Sequence, residues 1–595
     1  MNLENSKTSR GRFSRHAPVS ILMLCLLLLG IGIHQKTNRA IAPPIYDAMH
    51  YYTKGARVWT EWGMGRLVNP FNVDPTIRPP GTMLLSSPLG FSRNFRAFLF
   101  RSIYYPIVLF VVGFWLLAES RAYQPGQSWT NLTGALMLAS LPMFYQFERN
   151  PAFTSPYDWG YVDCFVAALA ALATALLLVS VRRCSIRLAT VGSLAGALTL
   201  LVKPVSLLLM PLFYFFWITE LLIIHGPIFA RWREDKLLRN YSIWSATLLA
   251  VFFFGTAVVC FKSEYLSQRN ITMQVDALKI LRDMFKNTPL WSLVASQVHT
   301  SFGWHWFYMS VAATLLSLGS IAFRVLRRHG RREDFRFLAV LATLCLGIVW
   351  WIWFAGPQMR YMYPFVLPFL VVALPDILGK AAVHLPKWSR RTLAALCMAP
   401  LAVVIALLFA ETPSIQWQHI LGVNLSSGHF REEVEMGNLL VQEAQSQARN
   451  LNIYVLGADE RPGVVEAQGI YRNLLKPEAP TFQMQRPIDW IRPIMVRRKE
   501  FVPSDFLLFY PVRDSNRLRA LLARQVVNDP TTEMDVFSAW LTQASEDQGL
   551  RVVSESVLRL VKVVDHVKLD QAFGKLMTQH RWQDLFYAEN NEPCF

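Results

Sequence analysis

Six ionisable residues in the first two thirds of the chain could carry chemistry. Asp158, Asp163, Lys203 and Arg360 lie beside long apolar stretches, and Asp47 and Arg78 lie in the loop between the first two such stretches. A charged side chain in or beside a membrane is costly and is therefore a functional candidate. A cation can bind a phosphate group and stabilise it as it leaves, and a carboxylate can accept a proton from an attacking hydroxyl. The acidic candidates are Asp47, Asp158 and Asp163, and the basic candidates are Arg78, Lys203 and Arg360.

Eleven apolar blocks predict the membrane-spanning helices that would position these residues. Each block is about 20 residues long, enough to cross roughly 30 Å of hydrocarbon. The 595-residue chain is 53% hydrophobic and only 17% charged, which is unlike a soluble globular domain. The predicted spans are residues 18–34, 102–118, 129–146, 162–181, 188–202, 204–223, 242–261, 304–323, 337–354, 364–379 and 392–410.

The basic residues predict which way the chain crosses the membrane. They are concentrated in residues 1–17 and in alternate short loops, as the positive-inside rule requires of cytoplasmic segments. An odd number of spans then places everything after residue 411, and all six candidates, on the non-cytoplasmic side. The predicted location is a bacterial inner membrane, although an endoplasmic reticulum protein would obey the same rule. Because these loops account for much of the net charge of +18, nucleic acid is not predicted as a partner.

Three regions follow from this pattern. Residues 1–17 are a cytoplasmic tail, and residues 18–410 are an all-α membrane domain with long outer loops at 35–101 and 262–303. Both loops contain segments with helical spacing, which predicts helices lying on the membrane surface. Short β-rich runs alternate with helical stretches in residues 411–595, which predicts a small α/β domain outside the membrane.

Four motifs and one acidic position stand in order along residues 18–410. The acidic position is Asp163, which opens the fourth span. The motifs are Tyr46-Asp47-Ala48-Met49-His50-Tyr51-Tyr52, Arg78-Pro79-Pro80-Gly81, Gly196-Ala197-Leu198-Thr199-Leu200-Leu201-Val202-Lys203-Pro204 and Met359-Arg360-Tyr361-Met362-Tyr363-Pro364. Together they resemble the GT-C class of glycosyltransferases, in particular the protein O-mannosyltransferases and the lipid A aminoarabinose transferases. Many of those proteins carry an acidic pair in the first motif, whereas here Ala48 follows Asp47.

The resemblance implies a membrane-embedded hexosyl- or pentosyltransferase. Its donor would be a polyprenyl-phosphate sugar, and its acceptor a glycolipid, a glycan or a protein. Asp47 would be the general base and Arg78 would contact the donor phosphate. Lys203 and Arg360 are further phosphate candidates, and Asp163 or Asp158 is a possible second acidic residue. The expected reaction is direct displacement at the anomeric carbon with inversion, and no cofactor is required.

Each candidate also has a purely structural interpretation. The three aspartates can cap the helices that follow them. Arg78 can pair with lipid headgroups, Lys203 can extend its ammonium from a helix end to the interface, and Arg360 can bind backbone carbonyls or a carboxylate. His50, His299 and His305 could join a carboxylate in a divalent metal site, but no ligand spacing supports one, so no metal is predicted.

Two other functions fit the same composition. A transporter or flippase of a polyprenyl-linked saccharide is the main alternative, but transporters more often show repeated halves and charges near the membrane midplane. A non-catalytic partner in a cell-envelope complex would use the C-terminal domain instead. The one-sided charges and the odd span count favour the transferase.

Overall fold

The computed structural model describes part of the chain. The described residues are 4–44, 46–71, 73, 80–86, 94–121, 127–144, 162–203, 209–226, 234–262, 386–409, 430–456, 460–485, 501–509, 540–556 and 558–580, with short stretches between 315 and 326 and between 368 and 379. Internal contacts divide the protein into two units. One comprises Met1–Arg39 and His50–Asn424, and the other comprises Ala40–Met49 and Leu425–Phe595.

The first unit is helical. Its helices are α1 (Glu4–Asn38), α2 (Tyr46–Gly63, which begins in the second unit), α3 (Phe95–Ser120), α4 (Ser128–Phe144), α5 (Asp163–Arg183), α6 (Ile186–Val202), α7 (Leu209–His225), α8 (Lys236–Lys262) and α9 (Lys387–Phe409), with a 3-10 helix at Pro80–Ser86.

Five helices among the described residues are long and apolar enough to cross a membrane. They are Ala17–Asn38, Phe95–Ser120, Asp163–Arg183, Lys236–Cys260 and Trp388–Ala406. Predicted spans 129–146, 188–202 and 204–223 coincide with the shorter helices α4, α6 and α7. The predicted spans 304–323 and 337–354 lie wholly or largely outside the described residues, and span 364–379 is described only in part, as helix at 368, 371–376, 378 and 379. The count of eleven therefore stays a prediction.

Helix α5 is the centre of the bundle. Its run of alanines (Ala167, Ala168, Ala170, Ala171, Ala173 and Ala175) is buried almost completely. Small side chains let helix backbones approach closely. In a membrane the lipid is as apolar as the helix surface, so helices associate through such close packing and not through the hydrophobic effect. A Cβ on Gly113 of α3 would lie 3.2 Å from the Leu172 Cα, and one on Gly192 of α6 would lie 3.1 Å from the Leu177 backbone nitrogen. Helix α8 instead exposes apolar side chains such as Val251, Phe254 and Val258, as a lipid-facing helix does.

Helix α2 corrects one expectation. The helical spacing of residues 46–62 predicts a helix on the membrane surface, and a helix is present. However, Tyr51, Tyr52 and Lys54 are buried, as are most residues between 48 and 58. The first half of α2 is therefore enclosed by protein on most sides instead of lying on a surface with one face exposed.

The second unit contains a five-stranded sheet. Its elements after residue 425 are α10 (Arg431–Ser446), β1 (Leu451–Leu456), α11 (Glu460–Leu475), β2 (Phe482–Gln485), β3 (Phe506–Phe509), β4 (Leu550–Glu555), β5 (Arg559–Val563) and α12 (His566–His580). The strand order is β2-β1-β3-β5-β4, with β1 parallel to β2 and β3, and β5 antiparallel to β3 and β4.

Both faces of this sheet are covered. Ile453 and Val455 of β1 pack with side chains of α10 and α11, whereas Tyr454 and Leu456 pack on the other face with α12. This alternation follows from the period of two along a strand. The runs at 452–457, 505–511 and 550–556 predicted three of the strands, and the helix predicted at 567–579 is α12. The helix predicted at 515–526 lies outside the described residues.

An ion pair fixes the start of β3. The Asp505 carboxylate accepts hydrogen bonds from Arg449 Nη1 at 3.1 Å, Arg449 Nη2 at 2.5 Å and the Asn452 N–H at 2.8 Å. Burial raises the pKa of Asp505, but these hydrogen bonds, with the charges of Arg449 and His566, outweigh burial and leave the pKa below its ordinary value. The contact ties the loop before β1 to the neighbouring strand.

Candidate functional site

Asp163 and Lys203 form an ion pair at one end of the bundle. The Lys203 ammonium donates to the Asp163 carboxylate, although 40 residues separate them. Helices α5 and α6 are joined by only Cys184 and Ser185, so they run antiparallel, and the first residue of α5 meets the residue after α6. Cys184 adopts a left-handed conformation with φ of 45°, which closes the short connection. We call this part of the bundle the Asp163 end.

The pair also suits the ends of its two helices. Asp163 lies in the first turn of α5, where the helix dipole favours a negative charge, and Lys203 caps the C-terminus of α6, where it favours a positive one. The Asp163 side chain is 1% exposed and that of Lys203 is 12% exposed. The carboxylate is therefore enclosed, whereas part of the lysine reaches the surface.

Gly81 packs directly on the backbone beside this pair. A Cβ at Gly81 would lie 2.4 Å from the Leu201 carbonyl oxygen and 2.5 Å from the Val202 nitrogen. Real side chains do not come this close, so only glycine allows the 3-10 helix Pro80–Ser86 to lie against the end of α6. The contact joins the Arg-Pro-Pro-Gly motif to the motif that ends in Lys203, 122 residues later in the chain.

Helix α2 holds the same 3-10 helix from another side. The Thr82 hydroxyl donates to the Tyr51 carbonyl at 2.9 Å, and the Trp59 indole donates to the Met83 carbonyl at 3.2 Å. Gly55 lies between them, and a Cβ there would be 3.6 Å from the Thr82 hydroxyl oxygen and 3.6 Å from the Met83 nitrogen. Residues of three predicted motifs, together with Asp163, therefore meet at the Asp163 end.

The remaining predicted residues are described less fully. The backbone of Asp47 lies in the first turn of α2, one turn before Tyr51. The Asp47 side chain is outside the described part of the protein. Arg78, Asp158 and Arg360 also lie outside the described residues.

Two buried cations near these motifs were not predicted. Lys54 of α2 is 0% exposed, and its ammonium donates to the Phe71 carbonyl at 2.7 Å. Arg101, near the start of α3, is 8% exposed. The sequence signal for Lys54 was its position seven residues after Asp47, which places both residues on the same face of the helix. Arg101 stands inside an apolar block, a position that itself marks a functional candidate.

A second charged cluster lies at the opposite end of the same helices, which we call the Arg121 end. Arg121, after α3, contacts Glu220 of α7 at 3.7 Å and Asp376 at 3.4 Å, and its Nη1 donates to the Val372 carbonyl at 2.7 Å. Arg182 of α5 donates to the other oxygen of Glu220 at 3.0 Å. Because Arg121 and Glu220 are buried, this cluster fastens α3, α5 and α7 to one another.

No group of three or more His, Cys, Asp or Glu side chains suited to a metal ion occurs within the described residues. The predicted His299 and His305 lie outside them.

The chain was also compared with known proteins. No protein-family model matches it, and no curated protein matches it. Among solved structures, the chain is similar to ArnT from Cupriavidus metallidurans bound to undecaprenyl phosphate. The TM-score is 0.42 and the sequence identity is 11%, over 92% of this chain and 98% of that one. At these values the comparison identifies no family for this chain.

Proposed function

We propose that this protein is a membrane glycosyltransferase that moves a sugar from a polyprenyl phosphate to a hydroxyl-bearing acceptor. The observation that carries the proposal is the packing of Gly81 on Leu201 and Val202, beside the Asp163–Lys203 pair. It joins motifs that are far apart in the sequence and that each contribute residues suited to one step of the reaction.

Chain connectivity limits how far the other candidates can lie from this contact. Three residues separate Arg78 from Gly81, and an extended chain spans at most about 3.6 Å per residue, so their Cα atoms are within about 11 Å. Asp47 lies four residues before Tyr51 on one helix, a rise of about 6 Å. These limits support the proposal that Arg78 and Asp47 serve the same donor site as Lys203.

The roles follow from charge and exposure. Asp163 is buried and paired with Lys203. We therefore propose that Asp163 positions Lys203 and does not accept the proton. An ammonium has three N–H donors, so a lysine that binds one carboxylate can also donate to a phosphate oxygen. Lys203 and Arg78 would bind the donor phosphate, with Arg360 as a third candidate, and Asp47 would be the general base.

In this reaction the acceptor hydroxyl attacks the anomeric carbon from the face opposite the phosphate. A C–O bond to the acceptor forms while the bond to the phosphate oxygen breaks, and the polyprenyl phosphate leaves with the electron pair. Asp47 takes the hydroxyl proton. The cations stabilise the charge that grows on the leaving phosphate, and the configuration at the anomeric carbon inverts.

The direct test uses purified full-length protein in detergent with membrane glycolipid as acceptor. The donors are undecaprenyl and dolichyl phosphates that carry a radiolabelled hexose or pentose. Wild type should transfer label, and Asp47→Asn should lose about 10²–10⁴-fold in rate, the usual effect of removing a general base.

Asp235→Asn is the matched control. Asp235 accepts from the Leu238 N–H at the start of α8, at the Arg121 end, and asparagine caps a helix equally well. This variant should retain wild-type activity. Full activity in Asp47→Asn would refute the assignment of the base. Vesicle uptake of the lipid-linked sugar without transfer would refute the transferase and support the transporter.

A further inference from the structure

Lys54 has no role in the reaction just described, yet it is buried more completely than any predicted site residue with a described side chain. Burying an ammonium is costly unless it is well paired, so its contact with the Phe71 carbonyl at 2.7 Å is a strong constraint on that stretch of chain. Phe71 is itself held in a turn, because its N–H donates to the Asn69 side chain at 3.1 Å.

The stretch before Phe71 is fixed to the same helix. The Trp62 indole of α2 donates to the Val68 carbonyl at 3.2 Å. Trp62 and Lys54 thus donate hydrogen bonds to two carbonyls that are three residues apart, those of Val68 and Phe71. The segment that leaves α2 at Gly63 is therefore folded back along the helix from which it came.

The chain returns to α2 at Thr82, whose hydroxyl donates to the Tyr51 carbonyl at 2.9 Å. Tyr51 and Lys54 are three residues apart, which makes them neighbours on the helix surface, about 5–6 Å apart. Phe71 and Thr82 are thus both held to one turn of α2. Gly81, the residue before Thr82, packs on the end of α6 next to Lys203.

We propose that Lys54 and Thr82 form a clamp, which we call the α2 clamp, that positions the donor-phosphate site. They are positioning residues and need not touch the substrate. The clamp fixes Phe71 and Thr82 on α2, and through Gly81 it fixes the 3-10 helix against the end of α6, beside Lys203. This inference rests on the proposed function for its effect on the donor, but the two clamp contacts can be tested without any substrate.

Two variants each remove one side of the clamp. Lys54→Met is nearly isosteric and loses the donor, and Thr82→Val is isosteric and loses the hydroxyl. Thr82→Ser retains the hydroxyl and should behave as wild type. Thr174→Val is the matched control, because Thr174 is equally buried and donates to the Ala170 carbonyl at 2.8 Å within α5, in the interior of the bundle.

The first measurement is amide hydrogen exchange of the peptide 64–86 in detergent-solubilised full-length protein. Loss of either clamp contact should speed exchange in this peptide by about tenfold, because one hydrogen bond contributes about that factor to the opening equilibrium. Exchange in the peptides of α5 should not change. The second is transfer kinetics with a radiolabelled undecaprenyl-phosphate hexose. The donor KM should rise by about tenfold or more while kcat stays within about threefold, since the clamp acts on binding geometry.

Unchanged exchange in both clamp variants would overturn the clamp whether or not the protein is a transferase. Faster exchange with an unchanged donor KM would overturn its link to the phosphate site. If Lys54→Met does not fold, the exchange rates of Thr82→Val and Thr82→Ser are compared instead. Equal rates in these two variants would overturn the clamp. Absence of transfer by wild type refutes the proposed function alone, and the exchange data then still decide whether the clamp exists.

Discussion

Gly81→Ala is the sharpest perturbation of the proposed site, because the added methyl group would meet backbone atoms only. Its Cβ would lie 2.4 Å from the Leu201 oxygen, and ordinary contacts begin at 3.4 Å. The 3-10 helix must therefore move about 1 Å away from the end of α6, since neither backbone can rotate aside as a side chain would. The displacement occurs next to Lys203 and three residues from Arg78.

A misplacement of about 1 Å can cost about 10²-fold in a reaction that depends on orientation. We therefore expect Gly81→Ala to lower kcat/KM for the donor by about that factor. The assay is transfer from a radiolabelled polyprenyl-phosphate sugar. Thermal unfolding and gel filtration of the same sample report whether the bundle is intact, and the overpacking should lower stability by about 1–3 kcal/mol.

Gly63→Ala is the matched control. Gly63 ends α2, and a Cβ there would meet nothing within 4 Å. It should leave kcat/KM within about twofold of wild type. Activity of Gly81→Ala within about threefold of wild type would show that this contact does not determine the geometry of the reaction. The argument for a site at the Asp163 end would then fail, even if Asp47 proves essential.

Further predictions concern stability and the two charged clusters. Glu220→Gln removes the buried carboxylate that Arg121 and Arg182 share, and Arg121 retains Asp376. It should destabilise the bundle by about 1–3 kcal/mol in thermal unfolding, whereas the exposed Glu234→Gln should have little effect; equal midpoints would refute this. Asp163→Asn should raise the donor KM more than it lowers kcat, because the carboxylate acts through Lys203; a loss in kcat alone would assign it a different role. Asp505→Ala leaves the Asn452 N–H without its acceptor and should destabilise the sheet unit by about 1–3 kcal/mol. Amide exchange of β1 and β3 measures this loss, and Asp547→Ala, at an exposed position, is the control. The folded-state pKa of Asp505 lies below the unfolded value of about 3.9, so its contribution to stability is present above the unfolded pKa and is lost as the pH falls through the folded-state pKa. A stability advantage over Asp505→Asn that does not shrink as the sample is acidified would contradict this.

Much of the architecture was predictable from local sequence. Apolar blocks of membrane-spanning length predicted the helices now seen as α1, α3, α5, α8 and α9, because length and hydropathy are local properties. The short β-rich run at residues 452–457 predicted β1 for the same reason. Strands β2 and β5 were not predicted, although Phe482–Gln485 alternates apolar and polar residues and Arg559–Val563 is rich in valine.

The sequence alone also indicated that Asp163 and Lys203 lie at one end of the bundle, since two consecutive antiparallel helices bring their distant ends together. It could not indicate that they pair with each other, that Lys54 is enclosed, or that Gly81 rests on Leu201. Nor could it indicate that Arg121 meets Glu220, 99 residues away. These contacts depend on how helices rotate and pack in three dimensions, which is decided by side chains from many segments at once and not by any one of them.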